Sequence, residues 1–154
     1  MNLTVQQVRN SVKKLIDEKG EDFRYAPEGT GPGGQLTSGE QECFNVPITD
    51  EIWDEIFLSA GLDGSESHLR GYELPAENDS RRTTGCIVGE VLRMRGFKFA
   101  SNMFNGGVYS DGIADNFTQE ALNYAGSLQK AQDGGSTWGE AVVIAEERLK
   151  EYRS

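Results

Sequence analysis

The chain has 154 residues and a net charge of −10, with 25 acidic against 15 basic residues. A chain of this length, residues 1–154, fits a single domain with one ordinary hydrophobic core. So much negative charge repels the phosphates of nucleic acids and of anionic membranes, which argues against direct binding to either. The apolar fraction of 36% is low and glycine occurs 19 times, so we expect irregular loops between the packed elements.

The beginning of the chain, from Met1 to Val12, is polar and helically periodic, and no apolar run approaches the ~20 residues that cross a bilayer. We therefore predict a cytoplasmic protein with no membrane partner. In that compartment Cys43 and Cys86 are expected to be buried, reduced thiols. Together with the lone His68 they supply too few ligands for a metal site, so we predict neither a metal nor another cofactor.

The spacing of apolar residues predicts an α+β fold that is predominantly helical, with about five helices. In each of them apolar side chains recur every three or four residues, and a capping residue or a glycine marks an end. The predicted helices cover about residues 4–19, 50–60, 85–95, 116–132 and 137–152. A turn at Asp133, Gly134 and Gly135 separates the last two, so we expect an antiparallel helical hairpin with alanines at its closest contacts.

Two short segments, residues 23–25 and 44–46, alternate apolar and polar side chains and are predicted to pair as a small β-hairpin. The residues between them, about 27–42, are rich in glycine, proline, serine and threonine and are predicted to form a mobile loop. Residues 29–34 match the three-glycine dinucleotide-binding pattern letter for letter. Because Pro32 interrupts this pattern and no apolar strand or helix flanks it, we interpret it as part of the loop.

Residues 63–74 show a faint similarity to a calcium-binding loop, but they lack glycine at the sixth position and glutamate at the twelfth. We interpret them as a polar turn. His68 lies in this turn, and no serine elbow or activated cysteine accompanies it. We therefore predict no catalytic residues and do not expect an enzyme.

Two strings, residues 85–96 beginning Gly-Cys-Ile-Val-Gly and residues 132–139 reading Gln-Asp-Gly-Gly-Ser-Thr-Trp-Gly, resemble a group of small uncharacterised proteins encoded by actinobacterial phages. An early helix, an aromatic strand and Cys43 also match. The resemblance implies a fold and a viral origin, but no site residues. It fails for residues 49–80, which we interpret as an insertion. The motifs also suit structural roles, such as a close helix contact at Gly89.

The candidate ligand site consists of polar residues directly before the third predicted helix: Arg81, Arg82, Thr83, Thr84 and Gly85. A helix N-terminus offers free N–H groups and a partial positive charge, so this cluster suits a phosphate or another anion. Two interpretations stay open. Either the arginines bind an anionic ligand with Tyr109 or Trp138 stacking on it, or a threonine caps the helix and the arginines pair with the protein's own acids.

The leading functional hypothesis is a non-enzymatic, phage-encoded interaction protein that binds and modulates a host factor, for example one in defence. An acidic surface suits a basic partner, including a host protein that itself binds nucleic acid. The second hypothesis is a small-molecule binder that sequesters an anionic, nucleotide-like signalling ligand. A virion or assembly component is a further alternative, and the sequence does not predict the oligomeric state.

Overall fold

The structure, a computed structural model, describes residues 1–25, 44–55, 77–100, 103–104 and 107–154. Helices dominate these residues, as the apolar spacing predicts. The described chain contains five α-helical stretches: α1 is Val5–Lys19, α2 covers residues 50–55, α3 is Ile87–Met94, α4 is Gln119–Asp133 and α5 is Trp138–Arg153. None of these helices combines the length and the apolar character that a membrane span requires.

The first helix has the caps and the buried face that the sequence predicts. Gln7 N donates to the Thr4 hydroxyl at 3.2 Å, and Thr4 N donates to the Gln7 side chain at 2.9 Å, which completes the capping box. Gly20 ends the helix with a φ of 97°, a conformation that favours glycine. The apolar face of α1 is buried and comprises Val5, Val8, Val12 and Leu15.

The last two helices form the predicted antiparallel hairpin. Glu120 near the start of α4 pairs with Arg153 at the end of α5, at 2.7 Å, which fixes the relative direction of the two helices. Both helices begin at a threonine whose hydroxyl accepts a backbone hydrogen bond, Thr118 for α4 and Thr137 for α5. The alanines that face each other allow close packing and are fully buried: Ala121, Ala125, Ala141 and Ala145.

The predicted β-hairpin is wrong, because the described residues of both segments contain no β-strand. The segments do meet, but through a side chain instead of a backbone ladder. The buried Tyr25 hydroxyl accepts from Phe44 N and donates to Phe44 O, both at 3.2 Å. Phe44 O also accepts from Cys86 N at 2.8 Å, and Asn45 N donates to Phe104 O at 2.7 Å. Neighbouring loops therefore take the hydrogen bonds that a strand partner would have made.

Residues 44–48 pass along the start of α3, and the contact is close because Gly89 has no side chain. A Cβ placed on Gly89 would lie only 2.2 Å from Asn45 O. The close approach expected at Gly89 is therefore present, but its partner is the Asn45 backbone and not another helix. Trp53 of α2 is partly buried and packs edge-on against Phe44 at 6.4 Å between ring centroids.

Several predictions fall outside the described residues. They are the mobile loop at 27–42 with its three-glycine pattern, the polar turn at 63–74 with His68, and most of the insertion assigned to residues 49–80. The segment between α3 and α4 is described in part. It contains a short 3-10 turn, Ala114–Asn116, and no strand within its described residues.

Candidate functional site

Arg81, the first residue of the candidate ligand site, is buried in an ion pair. Its Nε and Nη2 atoms lie 3.0 and 2.8 Å from the two carboxylate oxygens of Asp79, and the residue is 2% exposed. Burial alone would raise the pKa of Asp79, but the hydrogen bonds from Arg81 outweigh that effect and hold the pKa below its usual range. Arg81 therefore belongs to a bidentate structural pair.

The next two residues also contact the protein itself. The Arg82 guanidinium lies 2.9 Å from the Asp50 carboxylate at the start of α2. The exposed Thr83 hydroxyl donates to Ser80 O at 3.4 Å. Both arginines thus pair with the protein's own acids, which is the arrangement that the second interpretation of this cluster expects. Neither threonine caps α3, because its N-cap residue is Cys86, which makes no side-chain capping bond.

The N–H groups around the start of α3 already have acceptors within the chain. Gly85 N donates to Glu90 Oε1 at 2.6 Å, Cys86 N to Phe44 O at 2.8 Å, and Ile87 N to Gln132 Oε1 at 2.7 Å. An external anion would have to displace these acceptors to use the three N–H groups. Carboxylate, carbonyl and amide oxygens of the protein occupy those positions instead.

Gln132, which is fully buried, joins the two sequence motifs. Its Oε1 accepts from Ile87 N of the first motif and from Trp138 Nε1 of the second, the latter at 3.1 Å. Its Nε2 donates to Asp133 Oδ1 at 3.0 Å. We call Gln132, Ile87 and Trp138 the Gln132 joint. Here the two motifs act together as a packing contact between α3, α4 and α5.

The two aromatic residues predicted to stack on a ligand lie in opposite environments. Trp138 is 0% exposed and packs edge-on against Phe23 at 4.5 Å, so it presents no ring face to solvent. Tyr109 is 61% exposed. A Cβ on Gly126 would lie 2.4 Å from the Tyr109 hydroxyl, so the ring lies directly over α4 at that glycine. Tyr109 is therefore available to a ligand, and Trp138 is not.

Two buried atoms of the candidate ligand site lack a hydrogen-bond partner. They are Arg81 Nη1 and Thr84 Oγ1. Among the described residues, no other buried side-chain nitrogen or oxygen lacks a partner. A buried polar atom without a partner is costly, so both atoms would gain from a water molecule or another small polar group.

The expected reduced thiol at position 86 is wrong, because Cys86 is disulfide-bonded. Its predicted burial is confirmed, with 0% of the residue exposed. The other cysteine, Cys43, lies outside the described residues. The thiol prediction rested on the assumed reducing compartment and not on a local sequence signal.

A surface groove that the sequence did not reveal lies between the end of α1 and the start of α5. It has a volume of about 420 Å³. Its lining combines an aliphatic floor with acidic residues, and we call it the acidic groove: Ile16, Glu21, Asp22, Thr137, Gly139, Glu140, Val142 and Val143. Val143 is 61% exposed. The signal in the sequence was the apolar run at residues 142–144, which is wider than the buried stripe of α5 needs.

Backbone contacts set the shape of the acidic groove. Gly139 N donates to Glu21 O at 3.0 Å and Trp138 N donates to Phe23 O at 2.8 Å, so the turn after α1 lies directly on the first turn of α5. Glu140 accepts from Thr137 N at 2.8 Å, and this hydrogen bond holds the pKa of Glu140 below its usual range. The Glu140 carboxylate is therefore ionised at neutral pH.

Within the described residues, no group of three or more histidine, cysteine, aspartate and glutamate side chains is arranged to hold a metal ion. Comparisons of the chain with protein-family models, with curated proteins and with solved structures gave no match.

Proposed function

We propose that the chain is a non-enzymatic, phage-encoded interaction protein that binds a basic segment of a host protein and thereby modulates that host factor. The observation that carries the proposal is the acidic groove, where the exposed Val143 and the partly buried Ile16 and Val142 lie beside three carboxylates. The viral origin rests on the resemblance of the two motifs. The net charge of −10 adds a long-range attraction for a basic partner.

The lining of the groove defines the chemistry of its partner. The side chains of Ile16, Val142 and Val143 suit an aliphatic side chain, and burial of apolar surface would provide affinity. The carboxylates of Glu21 and Asp22 are exposed and make no ion pair within the described part of the chain. A segment in which lysine or arginine alternates with aliphatic residues would match both features.

Arg24 is a basic residue beside this set of acids. Its guanidinium is 4.0 Å from Glu140 and also donates to Gly135 O. It therefore offsets part of the charge of Glu140, whereas Glu21 and Asp22 keep theirs. The double charge reversal Glu21→Lys with Asp22→Lys is accordingly the sharpest way to disable the groove.

Fluorescence anisotropy with a labelled synthetic peptide of repeating arginine and leucine tests the proposal. We expect the peptide to bind, and to bind more weakly at higher salt, because exposed charges are screened. Glu21→Lys with Asp22→Lys should weaken binding about tenfold, which corresponds to about 1.4 kcal/mol. The matched control is Asp111→Lys with Asp115→Lys, which changes the net charge equally at exposed positions before α4.

The control pair separates a specific groove from general electrostatic attraction. If both double variants weaken binding equally, the net charge of the protein is responsible and the groove is not a docking site. If the unmodified protein does not bind the peptide even at low salt, the proposal is contradicted directly.

The anionic ligand remains a second candidate, supported by the two buried atoms without partners, Arg81 Nη1 and Thr84 Oγ1. A small oxyanion could accept from both groups. A rise in melting temperature with inorganic phosphate or a nucleotide, reduced by the Arg82→Ala variant, would support this candidate. An unchanged melting temperature across those ligands would remove it and would leave the peptide experiment unaffected.

A further inference from the structure

A second concave surface lies where residues 107–109 cross α4, and its lining shares no residue with the acidic groove. It is a cleft of about 370 Å³, within the range of roughly 300–1,000 Å³ typical of small-molecule sites. We call it the Tyr109 cleft. Its lining includes Val108, Tyr109, Gly126, Lys130 and Asp133.

The cleft is held open by packing. Val108 N donates to Oε1 of the buried Gln129 at 2.8 Å, which fixes the crossing segment to α4. Because Gly126 has no side chain, the Tyr109 ring lies against the helix backbone and leaves 61% of the residue exposed. One edge of the cleft is therefore a largely exposed aromatic side chain.

Asp133 supplies the negatively charged group of the cleft. It is the last residue of α4, where the helix dipole is negative and disfavours a carboxylate. Gln132 Nε2 donates to it at 3.0 Å. Within the described residues it makes no ion pair, although Lys130 lines the same cleft. A cation from outside the protein would complete its surroundings.

We propose that the Tyr109 cleft binds a small organic amine, with the ammonium group at the Asp133 carboxylate and the apolar body of the ligand against Tyr109 and Val108. A protonated amine would provide the positively charged partner that Asp133 lacks among the described residues. The Tyr109 ring attracts cations as well as apolar groups. This site is independent of the acidic groove, which lies on α1 and α5.

The affinity for an amine should depend on pH. Burial raises the pKa of Asp133 to about 7, so the carboxylate gains its charge as pH rises through neutrality, whereas an alkylamine stays protonated. The other charged or titratable groups near it are Lys130 on the same helix, Tyr109 across the cleft, Tyr25 in the core, and Arg24 at Gly135. We expect binding to strengthen from pH 6 to pH 8 and then to level off.

Titration of the full chain with 2-phenylethylamine, followed by NMR or calorimetry, tests the proposal, and 2-phenylethanol serves as the uncharged comparator. We expect the amine to bind at least about tenfold more tightly than the alcohol at pH 8. Asp133→Asn should remove this preference and the pH dependence. Tyr109→Ala should weaken binding roughly threefold to tenfold. The exposed control Asp111→Asn should leave binding unchanged.

Asp133→Asn removes a desolvated carboxylate, so we expect it to fold, and Tyr109→Ala alters an exposed side chain. Equal binding of the amine and the alcohol would overturn the proposal. So would an amine affinity that Asp133→Asn does not change, or the absence of saturable binding up to roughly 10 mM ligand. Failure of the peptide to bind the acidic groove would have no bearing on these results.

Discussion

Two adjacent residues at the end of α4, Gln132 and Asp133, illustrate how differently this protein treats its buried polar groups. Gln132 is 0% exposed; its oxygen accepts from Ile87 and Trp138, and its nitrogen donates to Asp133. Asp133 opens onto a cleft and makes no ion pair within the described residues. Polar groups of the Gln132 joint thus stabilise the fold, whereas the carboxylate in the Tyr109 cleft accepts hydrogen bonds from Gln132 and Gln129 but has no charged partner among the described residues.

The comparison also explains why the most conspicuous sequence motifs do not mark a binding site. Both motifs converge on the joint, where Ile87 N and Trp138 Nε1 donate to a single glutamine oxygen. The exposed residues Tyr109 and Val143 lie outside the motifs, and Asp133 is the residue of the second motif that faces a cleft. A search for function in this protein should therefore concentrate on the surfaces around the joint.

The largest effect is expected from Gly89→Ala, which attacks the interior packing around the joint. The added Cβ would lie 2.2 Å from a backbone oxygen, that of Asn45, so α3 or the 44–48 segment must move. We expect a loss of about 3 kcal/mol or more in the free energy of unfolding, measured by urea denaturation. The control is Gly134→Ala, where the nearest atom would be 3.4 Å away and the loss should be below about 1 kcal/mol.

A smaller but still substantial loss is expected from Gln132→Leu, which tests the joint directly. The substitution replaces the polar side chain with an apolar one of similar size. It therefore leaves the Ile87 and Trp138 donors without an acceptor. Because each buried donor without a partner costs about 1–3 kcal/mol, we expect a loss of about 2–5 kcal/mol in urea denaturation. The exposed Gln119→Ala serves as the control. A loss below about 1 kcal/mol would mean that water or other groups accept hydrogen bonds from these donors, so that the Gln132 joint is not sealed from solvent.

The next effect has the opposite sign and concerns the Tyr109 cleft. The pKa of Asp133 rises from its ordinary value of 3.8 to about 7 in the folded protein, so folding favours its protonated form. Its contribution is fully stabilising below the unfolded pKa and is lost as pH rises through about 7. Asp133→Asn should therefore increase stability at pH 8, by on the order of 1–2 kcal/mol after allowance for its partial exposure.

Thermal unfolding of this variant across pH 3 to 8 provides the measurement. The difference between the variant and the unmodified protein should be small at low pH and should grow above pH 4. Asp111→Asn, at an exposed position, is the matched control and should show no such trend. If the stability difference does not change with pH, a positively charged group already pairs with the Asp133 carboxylate. The contrast between the joint and the cleft would then be wrong.

Much of the helical architecture is predictable because its signals are local. Thr4 with Gln7 and Thr137 with Glu140 are capping boxes, and the buried stripe of α5 follows the helical period. The β-hairpin prediction was wrong because the alternation at 23–25 and 44–46 concerns the polarity of side chains and does not determine backbone pairing. The contact that forms is made by the Tyr25 hydroxyl with the Phe44 backbone. The apolar period of α5 does not bury its last aromatic residue, since Tyr152 at the end of that helix is 53% exposed.

The candidate sites were less predictable, because long-range contacts determine which polar groups stay available. Arg81 and Arg82 look alike in the sequence, yet Asp79 and Asp50 engage them from different segments. Glu21 and Val143 are 122 positions apart in the sequence and form one groove. A Gly126 that accommodates Tyr109 has no local signature at all. Such juxtapositions depend on how α1, α4 and α5 pack.

The smallest effect is expected from Thr84→Val, which tests whether the buried Thr84 hydroxyl before α3 contacts a ligand. Thr84 Oγ1 is buried with no hydrogen-bond partner, and valine has nearly the same shape. Replacing an unpartnered hydroxyl with a methyl group should leave stability unchanged or raise it by about 0.5–1 kcal/mol. Thr137→Val is the contrasting control, because that hydroxyl caps α5 and its loss should cost about 1 kcal/mol. If Thr84→Val instead destabilises the protein as much as Thr137→Val does, the Thr84 hydroxyl has a partner, and a phosphate titration of both variants would show whether that partner is an anion. Such a result would favour the anionic site before α3, even though Arg81 and Arg82 pair with acidic residues of the protein.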